Sequence, residues 1–141
     1  MGFREIASIA GSAMTAQTTR LNTVASNLAN ANSAAGSADA AYKARKPVFA
    51  SLLGREAAAS GQPVGARVQV LDVVESGEAP RKVHEPDNPL ADSQGDVFYS
   101  NVNSVAEMTD MMAASRAFET SVDVLGRVRS MQQSLLRLGE R

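Results

Sequence analysis

Residues 3 to 30 combine apolar side chains at heptad spacing with almost no charge, and that pairing restricts the chain more than any other feature. With Phe3 as the first seam position, the series Phe3, Ala7, Ala10, Met14, Gln17, Leu21, Val24, Leu28 is apolar except at Gln17. A repeat of this kind is the seam of a helix that lies along another helix. At 1.5 Å per residue the helix is roughly 42 Å long. No charged residue occurs from Ile6 to Thr19 or from Leu21 to Ala38. A helix with one face in water normally carries charge on it, whereas this one offers Ser8, Ser12, Thr15, Thr18, Thr19 and Asn22. Uncharged polar groups are covered at modest cost when hydrogen-bonded. The pattern therefore fits a helix surrounded by protein on several sides, or the central helix of a small bundle.

The other end of the chain carries a second long helix. It begins at Asn103 or Ser104, and Ser104-Val-Ala-Glu107 has the form of a capping box, with Glu107 reaching back to the first free amides. The helix runs to about Leu138, and Gly139 stops it. Its acids Glu107 and Asp110 lie early and its arginines Arg127, Arg129 and Arg137 lie late, which suits the helix dipole. Its length is roughly 52 Å. Two such helices around a small middle predict a mainly α fold: terminal helices forming an antiparallel coiled-coil hairpin, with a small β-hairpin or sheet insertion and flexible loops. The corresponding segments are 1–32 for the N-terminal helix, 33–63 for a loop and linker region, 64–101 for the β insertion and 102–141 for the C-terminal helix.

The middle supports that division. Residues 31–41 and 54–63 are Ala-, Ser- and Gly-rich and supply nothing that anchors a core. Between them lie the basic residues Lys43, Arg45 and Lys46. Ala66 to Val74 is rich in β-branched residues and alternates like a strand. Arg81–His84 and Asp96–Tyr99 are candidate partners for that strand, and Glu85-Pro-Asp-Asn-Pro89 and Asp92-Ser-Gln-Gly95 supply turn chemistry.

Composition removes most chemistry. A chain of 141 residues with 4% aromatics and no Trp has little material for a dense core. A net charge of −1 supplies no basic surplus for nucleic acid. Without cysteine there is no disulfide and no thiolate. His84 is the single histidine, so the common zinc ligand sets are unavailable, and it reads as a surface residue beside a turn. Asp87, Asp92 and Asp96 lack the spacing and closing Glu of a calcium loop and read as turn punctuation. No nucleophile elbow, phosphate loop or dinucleotide fingerprint is present. The expectation is a non-enzyme without cofactor, metal or small-molecule substrate. The first residues lack signal-peptide features, Ile6 stands where myristoylation wants Ser or Thr, and no stretch reaches the ~20 apolar residues of a membrane span. With only Arg4 and Arg20 basic on it, the first helix is a poor interfacial anchor.

Three stretches together resemble the bacterial flagellar rod and hook protein family. Residues 13–33 are similar to its N-terminal signature, with the Ala-x-x-Asn-Leu-Ala-Asn core at Ala25 to Asn30. Tyr42-Lys-Ala-Arg-Lys-Pro-Val-Phe49 and Ser100-Asn-Val-Asn-Ser-Val-Ala-Glu-Met108, continuing into the second helix, complete the likeness. Hook and distal-rod members carry larger middles, so this length resembles a proximal-rod subunit.

The resemblance implies a structural subunit of the flagellar basal-body rod that polymerises through its terminal helices into a torque-transmitting shaft and export channel. It also implies partners among its own copies and other rod proteins, passage through the flagellar type III export apparatus without a cleaved signal peptide, and a place in the rod where it crosses the periplasm. The residues expected at subunit interfaces are Phe3, Ala10, Met14, Leu21, Val24, Asn27, Leu28 and Asn30 on the first helix. On the second they are Met108, Met112, Phe118, Val122, Leu125, Val128 and Leu135. Asn27 and Asn30 share a helical face and either pair with a neighbouring subunit's backbone or end the helix. A single copy is expected to have largely disordered termini, because each apolar stripe lacks a partner. The competing readings are another proximal-rod subunit, or a cytosolic helical adaptor or secretion chaperone.

Overall fold

A computed structural model describes residues 2–53 and 66–139. Its elements in chain order are α1 (Phe3–Ala29), β1 (Ala34–Ala35), β2 (Arg45–Leu53), β3 (Ala66–Glu75), β4 (Arg81–His84), β5 (Asp96–Tyr99) and α2 (Ser104–Gly139). The chain divides into two units. One is drawn from Met1–Thr19, Val48–Asp72 and Ala113–Arg141, here the alanine unit; the other from Arg20–Pro47 and Val73–Met112, here the asparagine unit.

The mainly α hairpin expected from the heptads does not hold. Among the described residues two helices stand alongside two antiparallel sheets, one of three strands in the order β1-β5-β4 and one formed by β2 and β3, and no coiled-coil hairpin is seen. A coiled coil buries its a/d residues. On α2 the apolar residues Val105 (74% exposed), Met108, Met112, Leu135 and Leu138 (70%) instead face solvent, while Glu107, Ala114 and Val128 are buried. On α1 the buried row includes Ala16, Thr23 and Asn27 beside Ala10 and Val24, so the covered face is rotated away from the Met14–Leu21–Leu28 edge of the apolar repeat. The packed stripe selects small and hydrogen-bonding side chains over the largest apolar ones.

The segment read as linker holds β1 and β2; its 54–63 portion lies outside the described residues. Pro47 and the basic cluster disguise β2, because proline is ordinarily excluded from strand interiors.

In the asparagine unit, β5 is the central strand. Ala34 pairs with Tyr99 and Ala35 with Phe98 on one side; Arg81, Lys82, Val83 and His84 pair with Tyr99, Phe98, Val97 and Asp96 on the other. Val97 is fully buried at the middle of this sheet. The β4–β5 connection closes on Asp92, whose Oδ1 accepts from the backbone N–H of Gln94 and of Asp96. Gly95 sits there at φ +81°, a conformation that favours glycine, and a Cβ would also crowd His84 Cε1 at 2.9 Å and Pro86 at 3.2 Å.

Helix α2 begins on a cap one residue earlier than the capping box predicts. Asn103 Oδ1 accepts from the N–H of Val105 and of Ala106. That makes Asn103 the N-cap, and Glu107 is left free to point elsewhere.

The alanine unit is built on small contacts. Among its described residues the buried apolar ones are Ala10, Ala16, Ala114 and Val128. Hydroxyls on α1 turn inward on their own helix: Ser12 donates to the Ile9 carbonyl, Thr15 to Gly11 and Thr18 to Met14. This back-bonding explains how a face without charge remains satisfied.

Candidate subunit interface

The asparagine unit centres on Asn27, which has 0% exposure. Its amide nitrogen donates to the Arg45 carbonyl at 2.8 Å and to Glu107 Oε2 at 3.0 Å. Its amide oxygen accepts from the Tyr42 hydroxyl at 3.0 Å and from the Arg45 N–H at 2.9 Å. An asparagine side chain has two donors and two acceptor lone pairs, and here all four are used within one chain. Glu107, expected to cap its own helix, instead completes this cluster from α2.

Asn30 ends α1. Its N–H bonds to the carbonyls of Ser26 and Asn27, its side chain donates to the Ser26 carbonyl, and its own carbonyl accepts from the Ser33 N–H and hydroxyl. The strap from Ala41 to Arg45 that covers Asn27 is held from a second direction. Asn101 Oδ1 accepts from the Ala44 N–H at 2.7 Å, and the Ala44 carbonyl accepts from the Ser76 N–H at 2.7 Å. Arg20 and Asp110 add an ion pair at 2.8 Å.

A second polar cluster lies on the three-stranded sheet. Lys82 and His84, both on β4, reach Asp96 at 2.6 and 3.0 Å. The hydrogen bond from Lys82, then that from His84, holds the Asp96 carboxyl below its ordinary range. The amide of Asn88, then the Tyr99 hydroxyl, does the same for Glu85. Cations also lie over the rings they face in register, Arg81 at 5.3 Å from the Tyr99 centroid and Lys82 at 6.0 Å from that of Phe98. Asp92 and Asp96 are thus occupied by a turn and by ion pairing, and among the described residues no group of acids and His gathers to hold a metal. These contacts stiffen a small sheet.

The residues expected at subunit interfaces fall into two kinds. Ala10, Val24, Asn27 and Val128 are buried, and Phe3, Met14, Leu21, Leu28, Asn30, Phe118 and Leu125 are half-buried. Met108, Met112 (58%), Val122 and Leu135 (54%) are exposed. In the asparagine unit Val105, Met108 and Met112 form one stripe at helical spacing. In the alanine unit Ile6, Ile9, Ala10 and Ala13 of α1 and Thr120, Ser121 and Val124 of α2 line an apolar groove of about 290 Å³.

The β2–β3 ribbon adds a surface that the sequence reading missed. Every residue of β3 except Val70 is exposed, including Val68, Leu71, Val73 and Val74, and Val48, Phe49 and Leu52 are exposed on β2. A lone two-stranded ribbon is marginal in water, and this one presents apolar side chains along much of its length. The available signal was the run of apolar residues Val48-Phe49-Ala-Ser-Leu-Leu53 after Pro47.

Residues 8–36 match the family model described as flagella basal body rod protein, and residues 93–138 match that of the flagellar basal body rod FlgEFG protein C-terminal region. The flagellar basal-body rod protein FlgC of Escherichia coli O6:H1 is 46% identical over 140 residues, covering 99% of this chain and all of the relative. The protein of the same name from Salmonella typhimurium is 44% identical over the same span and coverage. That of Agrobacterium fabrum is 35% identical over 134 residues, covering 92% of this chain and 90% of its own.

Proposed function

This chain belongs to the FlgC family of flagellar basal-body rod proteins and is a structural subunit of the rod, and from that premise we propose that it joins its neighbours through the apolar surface that α2 and the β2–β3 ribbon leave uncovered. The observation that carries this reading is the exposure of Met108, Met112, Leu135 and Leu138 on one helix. Scattered surface apolar residues are ordinary, but rows of them mark contact sites. Head-to-tail contacts between unlike faces of identical subunits generate an open filament.

The finer reading extends to partners and place. The neighbours are further copies of this chain and other rod proteins, the subunit is non-catalytic, and it stands in the part of the rod that crosses the periplasm. It travels there unfolded through the type III export apparatus, a route that suits a chain with no cysteine and hence no cross-link to undo. Of the sequence-derived interface residues, the exposed Met108, Met112, Val122 and Leu135 make direct contact. The half-buried Phe3, Met14, Leu21, Leu28, Phe118 and Leu125 become covered as neighbours arrive. The buried Ala10, Val24, Asn27 and Val128, with Asn30 at the helix end, hold the helices that present those residues.

Replacing Met112 or Leu135 with Asp places a charge on this surface without touching a buried residue. Each variant, expressed in cells lacking the native chain, should be made and exported yet abolish rod assembly and swimming. The circular dichroism spectrum of the purified chain should not change. Normal swimming by both variants would remove the proposal.

A further inference from the structure

Sulfur in this chain occurs only as thioether, in six methionines and no cysteine. An oxidant that takes two electrons from sulfur therefore meets no thiol, and the reaction falls on methionine. The structure separates the thioethers by access. Met108 and Met112, one turn apart on α2, are 55% and 58% exposed. Met111, their neighbour in sequence, is half-buried, as is Met14 on α1. Glu107 in the same turn is buried and Asp110 is held by Arg20, so the two open sulfurs stand on the side of the helix turned away from the interior of the asparagine unit.

The surroundings of the pair form the second observation. Val105, still more exposed, continues the same row. The side chains whose use in contact depends on their being apolar are thus the ones a dissolved oxidant reaches first.

We infer that Met108 and Met112 form an oxidation site, at which hydrogen peroxide converts the thioethers of the free chain to sulfoxides and so prevents this row from docking. In each step the sulfur lone pair attacks one peroxide oxygen and the O–O bond breaks. The attacked oxygen stays on sulfur and passes its proton to the departing hydroxide, which leaves as water. Sulfur is oxidised by two electrons and the peroxide is reduced by two. A sulfoxide is polar and accepts hydrogen bonds, so covering it with an apolar partner carries a cost that the thioether does not. Two such oxygens one turn apart act on the same patch. Reversal needs a sulfoxide reductase, so a subunit oxidised before docking is withheld from assembly until it is reduced. The oxidation rests on exposure alone; its effect on docking rests on the interface proposed above.

Dilute hydrogen peroxide acting on the purified full-length chain, followed by peptide mass spectrometry, tests the oxidation. Met108 and Met112 should gain oxygen at least about threefold faster than Met14 and Met111, and equal rates at all four overturn the site. Docking is read in cells lacking the native chain, with Met131→Leu in every version because Met131 is also exposed, at 48%. The Met108→Leu/Met112→Leu version keeps the row apolar and should assemble rods normally. The Met108→Gln/Met112→Gln version sets a polar amide in place of each sulfoxide and should lower rod yield at least about fivefold. When synthesis is induced during a short peroxide pulse, the Leu version should yield at least about threefold more rods than the version retaining Met108 and Met112. Every other component of the cell is shared, so that ratio reports this site. Equal yields in the pulse, or normal rods from the Gln version, overturn the inference. If Met112→Asp also assembles normally, the interface falls with it; if Met112→Asp fails while the Gln version assembles, the oxidation site alone falls.

Discussion

The two units solve the same problem, a chain poor in large rings, with opposite materials. The asparagine unit substitutes a polar interior for an apolar one. Asn27 and Asn101 hold the strap, Asp92 closes a turn, and Asp96 and Glu85 gather the cations and hydroxyls of the sheet. Such a network specifies one arrangement because each member has fixed geometry, and it is self-sufficient. Among its described residues the alanine unit buries Ala10, Ala16, Ala114 and Val128, covers Phe3, Met14, Phe118 and Leu125 only in part, and leaves Val122, Leu135 and Leu138 exposed. Small contacts permit proximity but contribute little area, so stability there depends on what else comes to lie alongside.

The comparison is broken most decisively by a matched pair of substitutions. Val97→Ala, at the fully buried centre of the three-stranded sheet, should cost about 2 kcal/mol and lower the melting temperature of the free chain. Ala114→Leu, equally buried but in the alanine unit, should leave that melting temperature nearly unchanged and instead reduce incorporation into rods, since overpacking costs about 1–3 kcal/mol only where packing exists. Equal effects of the two on the free chain would erase the distinction.

A smaller effect sharpens it. Asn103→Ala removes the N-cap of α2 and should destabilise the free chain by about 1 kcal/mol, read by thermal melting. Ser104→Ala, outside the cap, should have almost none. The reverse order would reinstate the capping box.

The smallest effect is electrostatic. Asp96 and Glu85 are held below their ordinary values of 3.8 and 4.5. Carboxyls lowered in this way stabilise the fold above their unfolded values, and that contribution is lost as pH falls through the lowered ones. Melting temperature should thus decline gently below about pH 4.5, and Lys82→Ala should flatten the decline by removing the strongest partner of Asp96. Lys82 and Tyr99 are shifted upward from 10.5 and 10.0, so their share is present at neutral pH and fades as alkali rises through the raised values.

Much of this was legible from residue order alone. The long helices and the strands at Ala66, Arg81 and Asp96 follow from periodicity, β-branching and turn residues, all local signals, but the expected pairing of Arg81–His84 and Asp96–Tyr99 with the Ala66 strand does not hold: β4 and β5 pair with each other, and β3 pairs with β2. What escaped depends on distance. The two alanines of β1 form a strand only because Tyr99 and Phe98 lie opposite. Pro47 concealed β2. The heptad spacing identified a helix but not which face is covered, since the choice among Met14, Thr23 and Asn27 is made by partners far along the chain. Asn27 drew notice as an asparagine inside a helix, yet its four bonds run to residues that nothing in its neighbourhood announces.

The inward-turned hydroxyls of α1 have a chemical corollary. Because Ser12, Thr15 and Thr18 have already given their protons to their own backbone, that side of the helix offers acceptors rather than donors, as where Ser12 Oγ accepts from the Val68 N–H at 3.2 Å. Whatever rests there is selected by the N–H and O–H groups it brings as well as by its shape.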